Sequence, residues 1–132
     1  MGAGGATSRL RQAAAALTGP AALKRGDVIT VALPGDYGKP RPAIVIQSDR
    51  LPATDSVLVC LSTTNRRDLP LYRLPVDPSP RNGLRHPSDI MADKLMAVTR
   101  NKVGTVVGSL EPEQLAKLTL MLTSLIGAAD DV

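Results

Sequence analysis

The sequence predicts a mainly β domain with one C-terminal helix, folded as a small, strongly bent barrel. Three observations lead there. From residue 23 onward, short runs rich in β-branched residues alternate with clusters of Pro, Gly, Asn and Asp, as strands joined by tight loops do. Two of these runs are almost wholly apolar, which marks strands covered on both faces. Over 115–126 the apolar residues switch to helical spacing. At 132 residues a single domain is expected, with core enough to fold unaided.

Residues 1–22 precede this texture. They are rich in Gly and Ala, carry Arg9 and Arg11, and are expected to be a flexible or short helical appendage to a folded domain at 23–132. A helix over 8–17 would end at Gly19-Pro20. The apolar run 13–17 is short and mostly alanine, less than a secretory signal uses. A cytoplasmic protein is therefore expected, and the single cysteine, Cys60, agrees.

Within the domain, 27–33 (DVITVAL) reads as the first strand, followed by a Pro- and Gly-rich loop, PGDYGKPRP. The two apolar runs, 43–47 (AIVIQ) and 57–63 (VLVCLST), come next, and the second leads into a charged turn, Asn65-Arg66-Arg67-Asp68. In 71–76 (LYRLPV), Pro75 lacks an N–H and so points to an edge position or a strand end. A long polar connection, 77–89, separates this from shorter strand candidates at 90–92, 95–99 and 105–107. For the helix, Ser109 can cap, Glu111 and Glu113 suit its positive start, and Pro112 is tolerated in the first turn. Leu115, Leu118, Leu122, Leu125 and Ile126 form its stripe, and Gly127 stops it. Leu120 and Met121 widen the stripe beyond one face, so the helix either plugs the barrel or also meets a partner subunit.

Composition removes several functions. With two tyrosines and no Phe or Trp, the chain has no aromatic platform for stacking bases. One cysteine excludes an internal disulfide and a Cys-rich zinc knuckle. One histidine, His86, excludes a two-histidine acid/base pair within one subunit and a multi-histidine metal site. No cofactor and no metal are expected. The net charge of +4 is a mild bias toward a polyanionic partner. No apolar run approaches the roughly 18 residues of a membrane span.

No phosphate-loop, HExxH, paired-Cys or nucleophile-elbow motif is present. Two features remain. Arg41 lies between two prolines, and Pro42 biases it toward extended geometry at the entrance to a buried strand. Its ordinary alternative is a strand-end arginine neutralising a surface carboxylate. The second feature is Ser62-Thr63-Thr64-Asn65-Arg66-Arg67, hydroxyls at the end of a buried strand beside two arginines, whose ordinary alternative is a polar turn. If 43–47 and 57–63 are sheet neighbours, a guanidinium and a hydroxyl converge at one end of the barrel. A planar, charged fork with an adjacent donor suits a phosphate whose charge builds in a transition state.

The segments Lys24-Arg25-Gly26-Asp27-Val28-Ile29 and Arg41-Pro42-Ala43-Ile44-Val45-Ile46-Gln47-Ser48-Asp49 resemble the opening of the MazF/PemK toxin family. The similarity continues through Leu61-Ser62-Thr63-Thr64, Ser88-Asp89-Ile90-Met91-Ala92-Asp93-Lys94-Leu95, Val103-Gly104 and the terminal helix. The resemblance implies a compact SH3-like (CcdB/MazF-like) β-barrel and a homodimer. It also implies a metal-independent, sequence-specific endoribonuclease acting on single-stranded RNA, leaving a 2′,3′-cyclic phosphate and a 5′-hydroxyl. A toxin of this type is restrained by a cognate antitoxin. Matched by residue, the family's catalytic arginine falls on Arg41 and its catalytic threonine on Thr63, with Thr64 the neighbour one register away. The acidic residue of the preceding loop falls on Asp36. Asp27, of the Gly-Asp opening, is read as a structural turn residue. The loop before Arg41 is shorter than in many members and carries Pro34, Tyr37 and Pro40, so the cut sequence does not carry over.

In such a reaction Arg41 would stabilise the phosphorane and Thr63 would donate to the same group. Neither is an obvious general base, and Asp36 is the conventional one. Lys39, Tyr37, Thr64, Asn65, Arg66, Arg67, Arg73 and Arg81 are the RNA-binding candidates, with Tyr72 a possible aid to base selection. His86 reads as a surface residue. Two rivals stay open: a CcdB-like gyrase poison of the same fold, although the chain has no Trp and ends in Ala-Ala-Asp-Asp-Val, and a non-catalytic binding module.

Overall fold

The computed structural model describes residues 23–35 and 39–130. The expected helix at 8–17, and both Asp36 and Tyr37, lie outside the described residues. Six strands, β1 (Asp27–Val31), β2 (Arg41–Val45), β3 (Ser56–Thr63), β4 (Arg73–Val76), β5 (Ser88–Thr99) and β6 (Val103–Ser109), are followed by the helix α1 (Pro112–Leu125). They form one antiparallel sheet in the order β4-β5-β3-β2-β1-β6. The Pro75 strand is an edge strand, β4, as its missing N–H requires.

Among the described residues the ladder is not a closed barrel: β4 and β6 are its two ends. The connection between β4 and β5 is fastened to β6, with Ser109 N–H donating to the Arg81 carbonyl at 2.9 Å. Two glycines permit that approach. A Cβ on Gly83, whose φ is +67°, would lie 2.2 Å from the Val107 carbonyl oxygen, and one on Gly108 would lie 2.3 Å from that of Arg81. No side chain fits either gap.

The apolar runs behave as their composition demands. In β2, Ala43 and Val45 belong to one buried cluster with Ile29, Val31, Val57 and Val59, whereas Ile44 faces the other, with Val28, Cys60 and Ile90. β3 follows the same alternation, although Leu58 is 40% exposed. Helix α1 covers the second cluster with Leu118 and Leu122. Arg25 ties helix to sheet, donating to the Ile46 carbonyl and to Thr119 Oγ1. Buried at 0% exposure, the Cys60 thiol is pushed up to about 12 by desolvation, against a smaller opposing pull from Arg25 and a raising contribution from Asp93.

Two elements differ from expectation. The candidates at 90–92 and 95–99 are parts of one strand, β5. Cys60 pairs with Leu95 and Ser62 with Ile90, so β5 bulges between those pairs and turns Asp93 and Lys94 outward. Ser109 does not cap the helix, because it ends β6. Glu111 does so, in a capping box in which its N–H donates to Gln114 Oε1 at 3.2 Å. Leu110 and Leu115, at the staple positions either side of that cap, join the same core cluster. Gly127, at φ +73°, ends the helix as expected.

Candidate active site

β2 and β3 are neighbours, with Ala43 opposite Leu61 and Ile44 opposite Cys60. The same register carried to the strand ends sets Pro42 beside Ser62 and Arg41 beside Thr63. Ser62 Oγ holds it there, donating to the Pro42 carbonyl at 2.8 Å. Directly opposed residues in an antiparallel pair project from the same face, with Cα atoms about 4.5–5.5 Å apart. The guanidinium and the hydroxyl therefore share one face at one end of the sheet. Arg41 is exposed there, and Thr63 half-buried.

The side-chain period of a strand separates Thr63 from Thr64. Thr63 shares the Arg41 face. Thr64, one residue past the strand, lines a cleft of about 420 Å³ with Pro42, Leu84, His86 and Ser88. Thr63 Oγ1 accepts the Asn65 N–H at 3.1 Å. With that lone pair engaged, the hydroxyl proton is left to donate to an incoming oxygen.

The turn after Thr63 is organised by a residue to which sequence reasoning gave no role. Asp89 pairs with Thr63 across β3 and β5 and is 2% exposed. Its Oδ2 accepts the Arg67 N–H at 2.8 Å and faces Arg73 Nη1 at 3.4 Å. Its Oδ1 faces Arg66 Nε, also at 3.4 Å. Arg73 Nη1 donates in turn to the Asn65 carbonyl at 3.0 Å. Asp89 thus pins both ends of the 65–67 turn that positions the Thr63 hydroxyl. The sequence carries no local signal for this role, because the partners of Asp89 lie 16 to 23 residues away.

The RNA-binding candidates separate by environment. Lys39, Thr64, Asn65 and Arg67 are exposed near the Arg41 end. Arg66 is 40% exposed at its side chain and reaches Asp77 as well as Asp89. Arg73, 13% exposed, is committed to Asp89 and the turn. Arg81 stands on the β4–β5 connection, paired at 3.4 Å with Glu111. His86 is exposed, as expected, and lines the cleft beside Thr64. Half-buried Tyr72 packs against the helix-side core. Asp27 accepts the Lys24 N–H at 2.8 Å, the structural turn bond anticipated for it. Among the described residues, no group of three or more His, Cys, Asp or Glu converges as a metal site would require.

Residues 24–126 match the family described as PemK-like, MazF-like toxins of type II toxin–antitoxin systems. The chain belongs to this family. A PemK/MazF relative from Mycolicibacterium smegmatis, named probable endoribonuclease MazF, is 40% identical over 108 residues, covering 81% of this chain and 99% of that one. Toxin MazF-mt6 of Mycobacterium tuberculosis superposes with a TM-score of 0.64 at 25% identity, covering 76% of this chain and 95% of that one. A mycobacterial endoribonuclease solved with its cognate antitoxin gives a TM-score of 0.66 at 23% identity, covering 80% and 96%. This last likeness speaks for the fold alone. The SH3-like expectation is met in the arrangement shared with MazF toxins, six antiparallel strands and a C-terminal helix.

Proposed function

We propose that this PemK/MazF toxin is an endoribonuclease that cleaves single-stranded RNA by internal attack, with Arg41 and Thr63 at the scissile phosphate. The observation that carries the reading is the β2–β3 register, which, carried two pairs past Ala43–Leu61, sets these two residues opposite each other at the end of the sheet. Attack by the 2′-hydroxyl gathers negative charge on the phosphorane oxygens. A guanidinium fork pairs with two of them, and the Thr63 hydroxyl donates to the same group and fixes its orientation. The bond from phosphorus to the 5′-oxygen then breaks, leaving a 2′,3′-cyclic phosphate and a 5′-hydroxyl. Asp36 takes the 2′-hydroxyl proton, and the departing 5′-oxygen takes a proton from water. Lys39, Arg66, Arg67 and Arg81 hold flanking phosphates, and Tyr37, Thr64 and Asn65 contact the unpaired strand.

The partners follow from the same reading. A cognate antitoxin restrains the toxin, and two copies pair. Support for pairing comes from Leu120, 70% exposed on the outer side of a helix whose inner side is already packed, and from Ile126, also 70% exposed, just past the helix end. We place the toxin in the cytoplasm with its RNA; among the described residues no helix is long and apolar enough to cross a membrane.

The test is cleavage of a long, mixed-sequence single-stranded RNA in EDTA, comparing the purified chain with Arg41→Ala and mapping the new ends. Cuts at a recurring short sequence, ending in cyclic phosphate and lost in Arg41→Ala, are expected. No cleavage by the folded, antitoxin-free chain would sink the proposal and turn attention to gyrase inhibition or simple binding. Asp36→Asn is checked by single-turnover rate against pH, and an unaltered profile would remove it from the base role.

A further inference from the structure

At the opposite end of β2 and β3 from Arg41 and Thr63, Val45, Leu51 and Val57 wall a cavity of about 180 Å³. Arg100, in the single 3₁₀ turn between β5 and β6, lines the same cavity and is only 7% exposed. Its Nε donates to the Thr54 carbonyl, and its backbone N–H donates to the Asp55 carbonyl at 3.0 Å. Thr54 is itself held: Gln47 Nε2 donates to its hydroxyl oxygen at 3.2 Å, and that hydroxyl donates to the Ser56 carbonyl. The guanidinium orientation is therefore fixed by the connection between β2 and β3. Among the described residues no carboxylate forms an ion pair with Arg100, and neither Nη meets an acceptor.

Arg73 Nε is the one buried side-chain nitrogen or oxygen without a partner among the described residues, so the two Nη groups of Arg100, which meet no acceptor, open onto the cavity itself. With Nε committed, the remaining edge is the Nη1/Nη2 fork, which matches the two oxygens of a carboxylate. Lys24 and Asp49 also line the cavity, and their formal charges cancel, so Arg100 leaves it one net positive charge. A monoanion balances that. The apolar wall asks for more than a bare ion, and the volume holds roughly six water-sized groups. Residues 1–22, which lead up to Leu23 at the cavity wall, contain no acidic side chain to fill the role.

We propose that this cavity binds a small carboxylate on a short aliphatic stem, with the Arg100 fork on the carboxylate and Val45, Leu51 and Val57 around the stem. The site uses none of the residues assigned to RNA cleavage and stands apart from that reading.

The experiment is an amide-shift NMR titration of the full chain. Pentanoate is the free-carboxylate probe, and N-acetyl-Ala-Leu presents the same group as a peptide C-terminus. Pentanol and inorganic phosphate are the controls. Saturable shifts confined to 45–57 and 100 are expected with the carboxylates and not with pentanol, and the tighter carboxylate identifies the source. Arg100→Gln is expected to weaken binding about ten- to a hundred-fold, the loss of a charge-assisted hydrogen-bonded pair. Ala53→Leu leaves Arg100 in place and fills stem space, so it tests the site even if Arg100→Gln fails to fold, and it too is expected to abolish binding. Shifts by pentanol equal to those by pentanoate, equal binding of phosphate, or pentanoate affinity unchanged in Ala53→Leu would each overturn the proposal.

Discussion

Asp89→Asn tests the architecture beneath the proposed active site. The substitution keeps the volume, and Asn Oδ1 can still accept the Arg67 N–H now 2.8 Å from Oδ2. What goes is the negative charge between Arg66 and Arg73. Arg73 is 13% exposed and would keep only the Asn65 carbonyl as a partner. Neutralising one member of a buried pair costs about 3–5 kcal/mol. Arg66, 40% exposed at its side chain, adds less than about 1 kcal/mol. Because the Arg67 bond survives, the low end applies, about 3 kcal/mol. In urea that lowers the unfolding midpoint by about 1–3 M at unchanged slope. Arg73→Met should remove most of the penalty, so the double variant costs less than the two single ones added. A loss under about 1 kcal/mol, or strict additivity with Arg73→Met, would refute the view that this carboxylate holds the turn by charge.

Thr63→Ala is expected to lower the single-turnover cleavage rate about 10²-fold, the scale for losing one transition-state donor. Thr63→Ser should restore most of it, whereas Thr64→Ala should change KM more than kcat; the reverse pattern would move the site one residue. Gly83→Ala, at φ +67° and with its Cβ 2.2 Å from a carbonyl oxygen, should cost well over the about 1 kcal/mol of Gly35→Ala, which has φ +87° but open space. Comparable thermal shifts for the two would contradict the packing of the β4–β5 connection on β6. The folded Cys60 thiol, at about 12, should resist alkylation near pH 8, where an exposed thiol reacts readily. Above pH 9 the unfolded chain releases a proton that the folded one retains, so this group's contribution lowers stability as pH rises toward 12. Fast native-state alkylation, or stability rising over that window, would be inconsistent with the burial.

The strands that position the proposed site were legible because their pattern is unambiguous. Residues 43–46 have no polar interruption, which only a strand covered on both faces tolerates at that length, and Pro75 placed its strand at an edge. β5 was harder to read, because Asp93 and Lys94 break its apolar pattern. In the fold those two charges sit at a bulge, where a strand can turn side chains to solvent without ending. The helix start was misplaced for a related reason. Ser109 is a better intrinsic cap than Glu111, but its backbone is held in β6 by the Arg81 carbonyl, and a capping box with Gln114 takes over two residues later. Asp89 was invisible as a hub because its partners lie 16 to 23 residues away and meet it only through strand pairing.

In the proposed mechanism that distribution of contacts separates the strand-borne pair from the connections beside it. Arg41 and Thr63 stand on adjacent strands whose register is set by backbone pairing and by the Ser62–Pro42 bond, so their separation does not depend on loop conformation. Of the residues proposed to contact RNA, Lys39, Thr64, Asn65, Arg66 and Arg67 stand on the connections next to those strands, and Arg81 stands on the β4–β5 connection. In the 64–67 segment, Asp89 accepts the Arg67 N–H directly, and Arg73, paired with Asp89, donates to the Asn65 carbonyl. In the proposed mechanism, loop residues can therefore vary with the RNA sequence to be read, while Arg41 and Thr63 keep the geometry that their strands impose. Asp89 sits beside Thr63 across the sheet and beneath the 65–67 turn, so in the proposed mechanism a change in that turn would reach the Thr63 hydroxyl through it.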